Sequence, residues 1–169
     1  MNEHKEAIEK RKDKIKNWLK DRQNLIFAVI FIFAIIIRLY YFSLTKNQPL
    51  WWDESDYLAY AKNLAGYPVN WIVSGQHASI YPYLIAIFFK IGLGEIAAKF
   101  FLQVIPSILT VFLAYLICNE MYEDRRIGLI ASFLTATFWL HIFNSARFHI
   151  DIPALFFGFL AFYTFWQGY

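Results

Sequence analysis

The stretch LIFAVIFIFAIIIRLYYFSL, residues 25–44, decides the fold of this chain. An almost unbroken apolar run of about 20 residues matches the length that an α-helix needs to cross the hydrocarbon core of a bilayer. Arg38 is its only charged residue and lies near the far end, where a long side chain can reach the lipid headgroups. We therefore expect Arg38 to snorkel to the interface rather than to be a buried functional charge.

The composition of the whole chain also indicates a membrane protein. Of the 169 residues, 59% are hydrophobic and only 17% are charged, which is more apolar material than one small soluble core can bury. The sequence therefore predicts an all-α polytopic membrane protein, built as a transmembrane helix bundle.

Residues 1–24 form a basic tail before the first span. The excess of lysine and arginine places this tail in the cytoplasm and the far end of the first helix outside. Acidic residues alternate with the basic ones at helical spacing, which favours a solvated helix face or contact with membrane lipids. No nucleic-acid partner is expected.

Three later apolar segments, residues 100–118, 127–143 and 152–169, read as further spans of one membrane domain, residues 25–169. Arg125 and Arg126 mark the turn between two of them as cytoplasmic. The run at 81–93 is too short for a span and is predicted to be a surface helix, like residues 53–65. The last run stops without a polar flank, which favours a fragment of a larger protein.

This count places two loops, residues 45–99 and 144–151, together on the outer side of the membrane, and both loops carry candidate site residues. Asp53 and Glu54 lie in the first loop, and Arg147, His149 and Asp151 lie in the second. An aspartate can accept a proton from an attacking hydroxyl, and an arginine can hold a phosphate through two parallel hydrogen bonds. The combination fits group transfer from a lipid phosphate to a hydroxyl acceptor.

The acidic side chains of both loops also fit purely structural roles, and the sequence does not decide between structure and chemistry. Asp53 and Asp151 could cap the helices that follow them, and Glu54 could complement a helix dipole. Asp53, Asp151 and His149 are also candidate ligands of a divalent metal, although the set is not specific enough to assert one. No other cofactor is expected.

The order of the motifs resembles the N-terminal part of the GT-C glycosyltransferases, specifically the dolichyl-phosphate-mannose protein mannosyltransferases and the related lipid A aminoarabinose transferases. The likeness covers nearly all of residues 24–169. The motifs that carry it are Asp53-Glu54, Tyr81-Pro82-Tyr83-Leu84, Lys90-Ile91-Gly92, Ser145-Ala146-Arg147 and Asp151-Ile152-Pro153.

The resemblance implies an inverting transferase that uses a polyprenyl-phosphate-linked sugar on the lumenal or extracytoplasmic face, with a protein or lipid hydroxyl as acceptor. It implies that Asp53 is the base or the acceptor-orienting carboxylate, with Glu54 beside it. It also implies that Asp151 is the second-loop acid and Arg147 the nearby basic residue. Many relatives carry a basic residue where this chain has Ile80-Tyr81-Pro82. The contact that this basic residue supplies could be missing here or replaced by His77. Tyr81 and His149 are further candidates for substrate contacts.

A non-catalytic polytopic membrane protein is the alternative, either a transporter subunit or a truncated paralogue that binds lipid-linked sugar. A transporter is expected to line a path through its spans with charged side chains. Here Arg38 and His141, which we expect to be a hydrogen-bonded interior residue, are almost the only such groups, and this counts against transport.

Overall fold

The computed structural model describes residue 18, residues 20–69 and residues 80–169, and within those ranges the chain is helical and has no β-strand. The predicted all-α fold is confirmed to that extent. The helices are α1 (Arg22–Thr45), α2 (Asp53–Leu64), α3 (Ile80–Lys90), α4 (Gly94–Tyr122), α5 (Arg125–Thr137), α6 (Trp139–Asn144) and α7 (Asp151–Gly168).

Within the described part of the chain, α1 and α4 are the two helices that are long and apolar enough to cross a membrane. The 24 residues of α1 have a mean hydropathy of 2.6, and the 29 residues of α4 have a mean hydropathy of 2.2. Large apolar side chains of α1, among them Val29, Ile32 and Ile36, are more than half exposed. Such a surface suits lipid better than water, so these helices indicate a membrane-associated protein.

The other predicted segments correspond to shorter or divided helices. Residues 127–143 are split between α5 and α6 by Phe138, which has an extended backbone (φ −64°, ψ 109°). The predicted surface segments coincide with α2 and α3, although α3 ends at Lys90 rather than at residue 93. Gly92 and Gly94 follow with positive φ angles of 80° and 74°, which favour glycine, and turn the chain into α4.

The packing of α4 against α5 depends on Gly128. A Cβ atom at this position would lie 2.9 Å from the carbonyl oxygen of Tyr115 and 3.2 Å from the Cβ of Asn119. The ring of Tyr115 in turn stacks on Phe27 of α1, with ring centroids 4.1 Å apart. The missing side chain of Gly128 therefore lets α5 approach the place where α1 and α4 already meet.

Arg38 lies in the centre of this bundle and is fully buried, so the predicted snorkelling is wrong. The break at Phe138 leaves the last carbonyls of α5 without intrahelical partners, and the guanidinium supplies the missing donors. All five of its N–H groups are used. Nε donates to Oγ of Ser107 at 2.7 Å, and the terminal nitrogens donate to the carbonyls of Ala34 and Ala136 at 3.2 Å, to that of Thr135 at 3.1 Å, and to Nδ1 of His141 at 2.9 Å.

His141 is confirmed as a hydrogen-bonded interior residue, since it is buried and bonded to Arg38. A guanidinium can only donate, so Nδ1 of His141 must accept and its proton lies on Nε2. The two polar groups that interrupt the spans are thus partners of each other.

Candidate functional site

A buried ion pair joins the first loop, residues 45–99, to the second loop, residues 144–151. Nε of Arg147 donates to Oε1 of Glu54 at 2.8 Å, and Nη2 donates to Oε2 at 2.7 Å. The two side chains are only 6% and 3% exposed. Two parallel hydrogen bonds between a guanidinium and a carboxylate give a strong and geometrically specific contact, so the loops are held in one arrangement.

The remaining contacts of Arg147 also hold the first loop. Nη2 donates to the carbonyl of Pro49 at 2.9 Å, and Nη1 makes a longer contact of 3.4 Å with Oε1 of Gln48. The guanidinium carbon lies 4.2 Å from the centre of the Trp51 ring, which covers the cation. Four of the five N–H donors of Arg147 are therefore engaged within the protein.

Asp53 is exposed and is the first residue of α2, so it does not have the capping role that was one of its two open interpretations. The capping position belongs to Trp52, which has a positive φ of 46° and makes no side-chain capping bond. The backbone N–H of Trp51 donates to Oε2 of Glu54 at 2.8 Å, so Glu54 closes this turn. The carboxylate of Asp53 faces outward, and no residue of the described ranges donates a hydrogen bond to it.

Asp151 is exposed in the same way at the start of α7. Ile150 occupies the capping position, so the expectation that Asp151 caps this helix is also wrong. One carboxylate oxygen of Asp151 lies 3.0 Å from Nδ1 of His149. The second loop therefore presents an acid paired with an imidazole.

The pKa of the buried Tyr57 phenol is affected by carboxylates of both loops. Its side chain is 8% exposed, and burial is the largest cause that raises the pKa of its phenol. The negative charges of Asp53, Asp151 and Asp56 raise this pKa further. The contacts agree with this: Asp53 lies four residues before Tyr57 on α2. The ring of Tyr57 packs on Tyr81, which is joined through Gln103 to the backbone of His149, two residues before Asp151.

Tyr81 lies in α3, within the first loop, and is only 1% exposed. Its ring packs edge-on against Tyr57, with centroids 5.4 Å apart, and its hydroxyl accepts a hydrogen bond from Gln103 of α4. Burial raises the pKa of the Tyr81 phenol above its usual value. A direct contact of Tyr81 with substrate stays a prediction. His77 lies outside the described residues.

Within residues 20–69 and 80–169, no group of three or more histidine, cysteine, aspartate or glutamate side chains is placed to hold a metal ion. Asp53, Asp151 and His149 thus do not form an assembled ligand set in the described part of the chain. Their role as metal ligands stays a prediction.

A cavity of about 410 Å³ lies beside Asp151, between α5, α6 and the first half of α7. Most of its lining is apolar, and such a cavity can take a hydrocarbon chain. The lining residues are Leu134, Thr135, Phe138, Leu140, His141, Asn144, Asp151, Ile152, Leu155 and Phe159.

The family model of dolichyl-phosphate-mannose-protein mannosyltransferases matches residues 76–168, more than half of the chain. The chain belongs to this family. The predicted resemblance is thereby confirmed, and membership in the mannosyltransferase family points to glycosyltransferase activity in general. The match contains Tyr81, Arg147 and Asp151 and begins after Asp53 and Glu54. No curated protein and no solved structure matches the chain.

Proposed function

We propose that this mannosyltransferase-family protein is a membrane glycosyltransferase that moves a sugar from a polyprenyl-phosphate-linked donor to a hydroxyl group of a protein or lipid. The observation that carries the proposal is the buried pair of Glu54 and Arg147. It holds together the two loops that carry the exposed acids Asp53 and Asp151.

In this proposal Asp53 is the general base. Its carboxylate accepts the proton of the acceptor hydroxyl while that oxygen forms a bond to the anomeric carbon. The bond between the anomeric carbon and the donor phosphate oxygen breaks, and the lipid phosphate leaves with the electron pair. A single displacement of this kind inverts the anomeric configuration.

In this proposal the second loop binds the phosphate of the lipid-linked sugar donor. Asp151 accepts a hydrogen bond from Nδ1 of His149 across their 3.0 Å contact and so orients the ring. In the protonated imidazolium form, in which both ring nitrogens carry a hydrogen, Nε2 can donate to the leaving phosphate. Among the described residues one N–H of Arg147 has no partner and can donate to the same phosphate. The larger contribution of Arg147 is to fix the loops. The apolar cavity beside Asp151 would accommodate the first part of the donor hydrocarbon chain.

Contacts at both ends of the bundle support placing the two loops on one face, which we propose to be extracytoplasmic or lumenal. The pair of Glu54 and Arg147 needs both loops on the same side, and α3, with 11 residues, is shorter than the usual span of about 17–25 residues. An ion pair of 2.8 Å between Asp21 and Arg125 joins the start of α1 to the start of α5, the ends predicted to be cytoplasmic.

The transporter alternative is less well supported. It requires charged side chains along a path through the spans. Arg38 is fully buried, and each of its donors is bonded to a neutral acceptor, so it lines no open path.

Replacing Asp53 tests the proposal. In the natural full-length protein in membranes, Asp53→Asn should lower kcat by about 10²–10⁴-fold with a panel of polyprenyl-phosphate sugars, because the base is lost. The matched control is Asp124→Asn, which changes a residue that caps α5, and it should transfer sugar normally. Unchanged transfer by Asp53→Asn contradicts the role of Asp53. Failure of the natural protein with every donor contradicts the function.

A further inference from the structure

One turn of α4 is wider than an α-helical turn. Across Phe100–Val104 the helix is of the π type, and the N–H of Ile105 bonds to the carbonyl of Phe100, five residues earlier. Such a turn re-aims the side chains around it and often lies at a functional site. Gln103 lies within this turn and is fully buried.

The amide group of Gln103 contacts both loops at once. Nε2 donates to the backbone carbonyl of His149 at 3.0 Å and also donates to the hydroxyl of Tyr81. A carbonyl can only accept, so the NH₂ group must face His149, which settles the orientation of the amide. Tyr81 belongs to the first loop and His149 to the second, and Gln103 therefore connects them from beneath.

His149 is the residue through which Gln103 can act on the site. Its backbone N–H donates to the carbonyl of Arg147 at 2.8 Å, and its ring nitrogen lies 3.0 Å from the carboxylate of Asp151. The position of the His149 backbone therefore determines where the imidazole and Asp151 lie.

The buried amide of Gln103 is only partly satisfied. Its Oε1 atom is buried and has no hydrogen-bond partner among the described residues. An unpaired buried acceptor costs stability, whereas the NH₂ group of the same amide satisfies the His149 carbonyl and bonds to the Tyr81 hydroxyl. A buried polar residue that is only partly satisfied and contacts two loops is typical of a functional position.

We propose that Gln103 is a positioning residue for the transfer reaction: it sets His149 and Asp151 relative to Asp53 without touching the substrate. This inference rests on the proposed glycosyltransferase function. It adds a residue of a membrane-crossing helix to a site that is otherwise built from the two loops.

The test compares Gln103→Met with Thr110→Val in the full-length protein. Methionine keeps the volume of glutamine and removes both hydrogen bonds. Thr110 is the matched control, because it is buried in the same helix and its hydroxyl, among the described residues, bonds only to the carbonyl of Pro106 in that helix. Gln103→Met should lower kcat by about 10–100-fold while KM for the donor changes by less than about threefold. Thr110→Val should change neither.

Amide hydrogen exchange across residues 147–151 tests the same contact without a measurement of sugar transfer. Gln103→Met should raise the exchange rate at His149 by about tenfold, because the loop loses its bond to α4, and Thr110→Val should not. If the natural protein transfers no sugar, the proposed function fails while the exchange rates still test the contact. The positioning role is overturned if Gln103→Met has the kcat and the exchange rates of the natural protein. It is also overturned if Gln103→Met and Thr110→Val lose kcat equally.

Discussion

Glu54 and Arg147 lie 93 residues apart in the chain and form a two-hydrogen-bond ion pair that is almost completely buried. The pair turns two separate loops into one unit. The two neighbouring acids therefore have different roles. Glu54 is bound to a cation and holds the loops together, whereas Asp53 beside it is exposed.

Breaking this pair should destabilise the protein strongly. Glu54→Gln or Arg147→Met alone leaves a buried charge without its partner, which costs about 3–5 kcal/mol. The double variant should lose less than the sum of the two single losses. Unfolding of the purified protein in detergent measures these changes.

The control for the pair is Arg125→Met, which breaks the exposed contact with Asp21. Exposed ion pairs contribute little, so this variant should unfold close to the natural protein. Equal losses in Arg125→Met and Arg147→Met would contradict the structural importance of the buried pair.

Arg38 should be required for stability. Arg38→Met leaves the carbonyls of Thr135 and Ala136 without donors, and each unsatisfied group costs about 1–3 kcal/mol. Arg38→Lys keeps the charge but cannot reproduce five donors in a plane, so it should fall between Arg38→Met and the natural protein. The unfolding midpoint in detergent measures both. A midpoint of Arg38→Met equal to that of the natural protein would be the result expected of a snorkelling arginine.

Two glycines form a matched pair for testing the helix contact. In Gly128→Ala the new Cβ meets the backbone oxygen of Tyr115, so the variant should lose about 1–3 kcal/mol. Gly158 has open space around it in α7, and Gly158→Ala should gain about 0.5–1 kcal/mol from helix propensity. Similar effects of the two substitutions on the free energy of unfolding would contradict the close approach of α4 and α5.

Tyr57 predicts a loss of stability at alkaline pH. Its pKa in the folded state is raised by burial and by the nearby carboxylates, so the folded protein keeps a proton that the unfolded chain loses above about pH 10. The stabilising contribution is complete below that pH and disappears as pH rises through the folded-state pKa. Tyr57→Phe should flatten the pH dependence of the free energy of unfolding, and an unchanged slope would contradict the raised pKa.

The same phenol reports which carboxylates are near it. Asp53→Asn and Asp151→Asn should each lower the pKa of Tyr57, whereas Asp124→Asn, at the start of α5, should not. NMR of carbon-13-labelled tyrosine measures this pKa. If only one of the two substitutions lowered the pKa of Tyr57, the two acids would not both lie near this phenol.

The features that sequence predicts well are local ones. The apolar run at 25–44 needs only its own length to indicate α1, and α2 and α3 follow from short apolar patterns between breaks. The order of the motifs also indicated the family, because order and spacing do not depend on tertiary contacts.

The features that sequence missed depend on distant partners. Nothing in the sequence near Glu54 indicates that it pairs with Arg147. The break at Phe138 has neither proline nor glycine to mark it. That break is stabilised by the side chain of Arg38, which inserts at the end of α5. The site role of Gln103 was missed for the same reason, since a lone glutamine in an apolar run carries no signal.

The burial of Arg38 has a consequence for how the protein is made. Its donors to Ser107 and Ala136 reach 69 and 98 residues ahead in the chain, so these acceptors do not yet exist when the ribosome delivers α1 to the membrane. A bare arginine is costly in hydrocarbon, and its long side chain must stay hydrated at the interface until α4 and α5 have been synthesised. We therefore expect Arg38 to leave water only when α4 and α5 pack against α1, which links the burial of this residue to the assembly of the bundle.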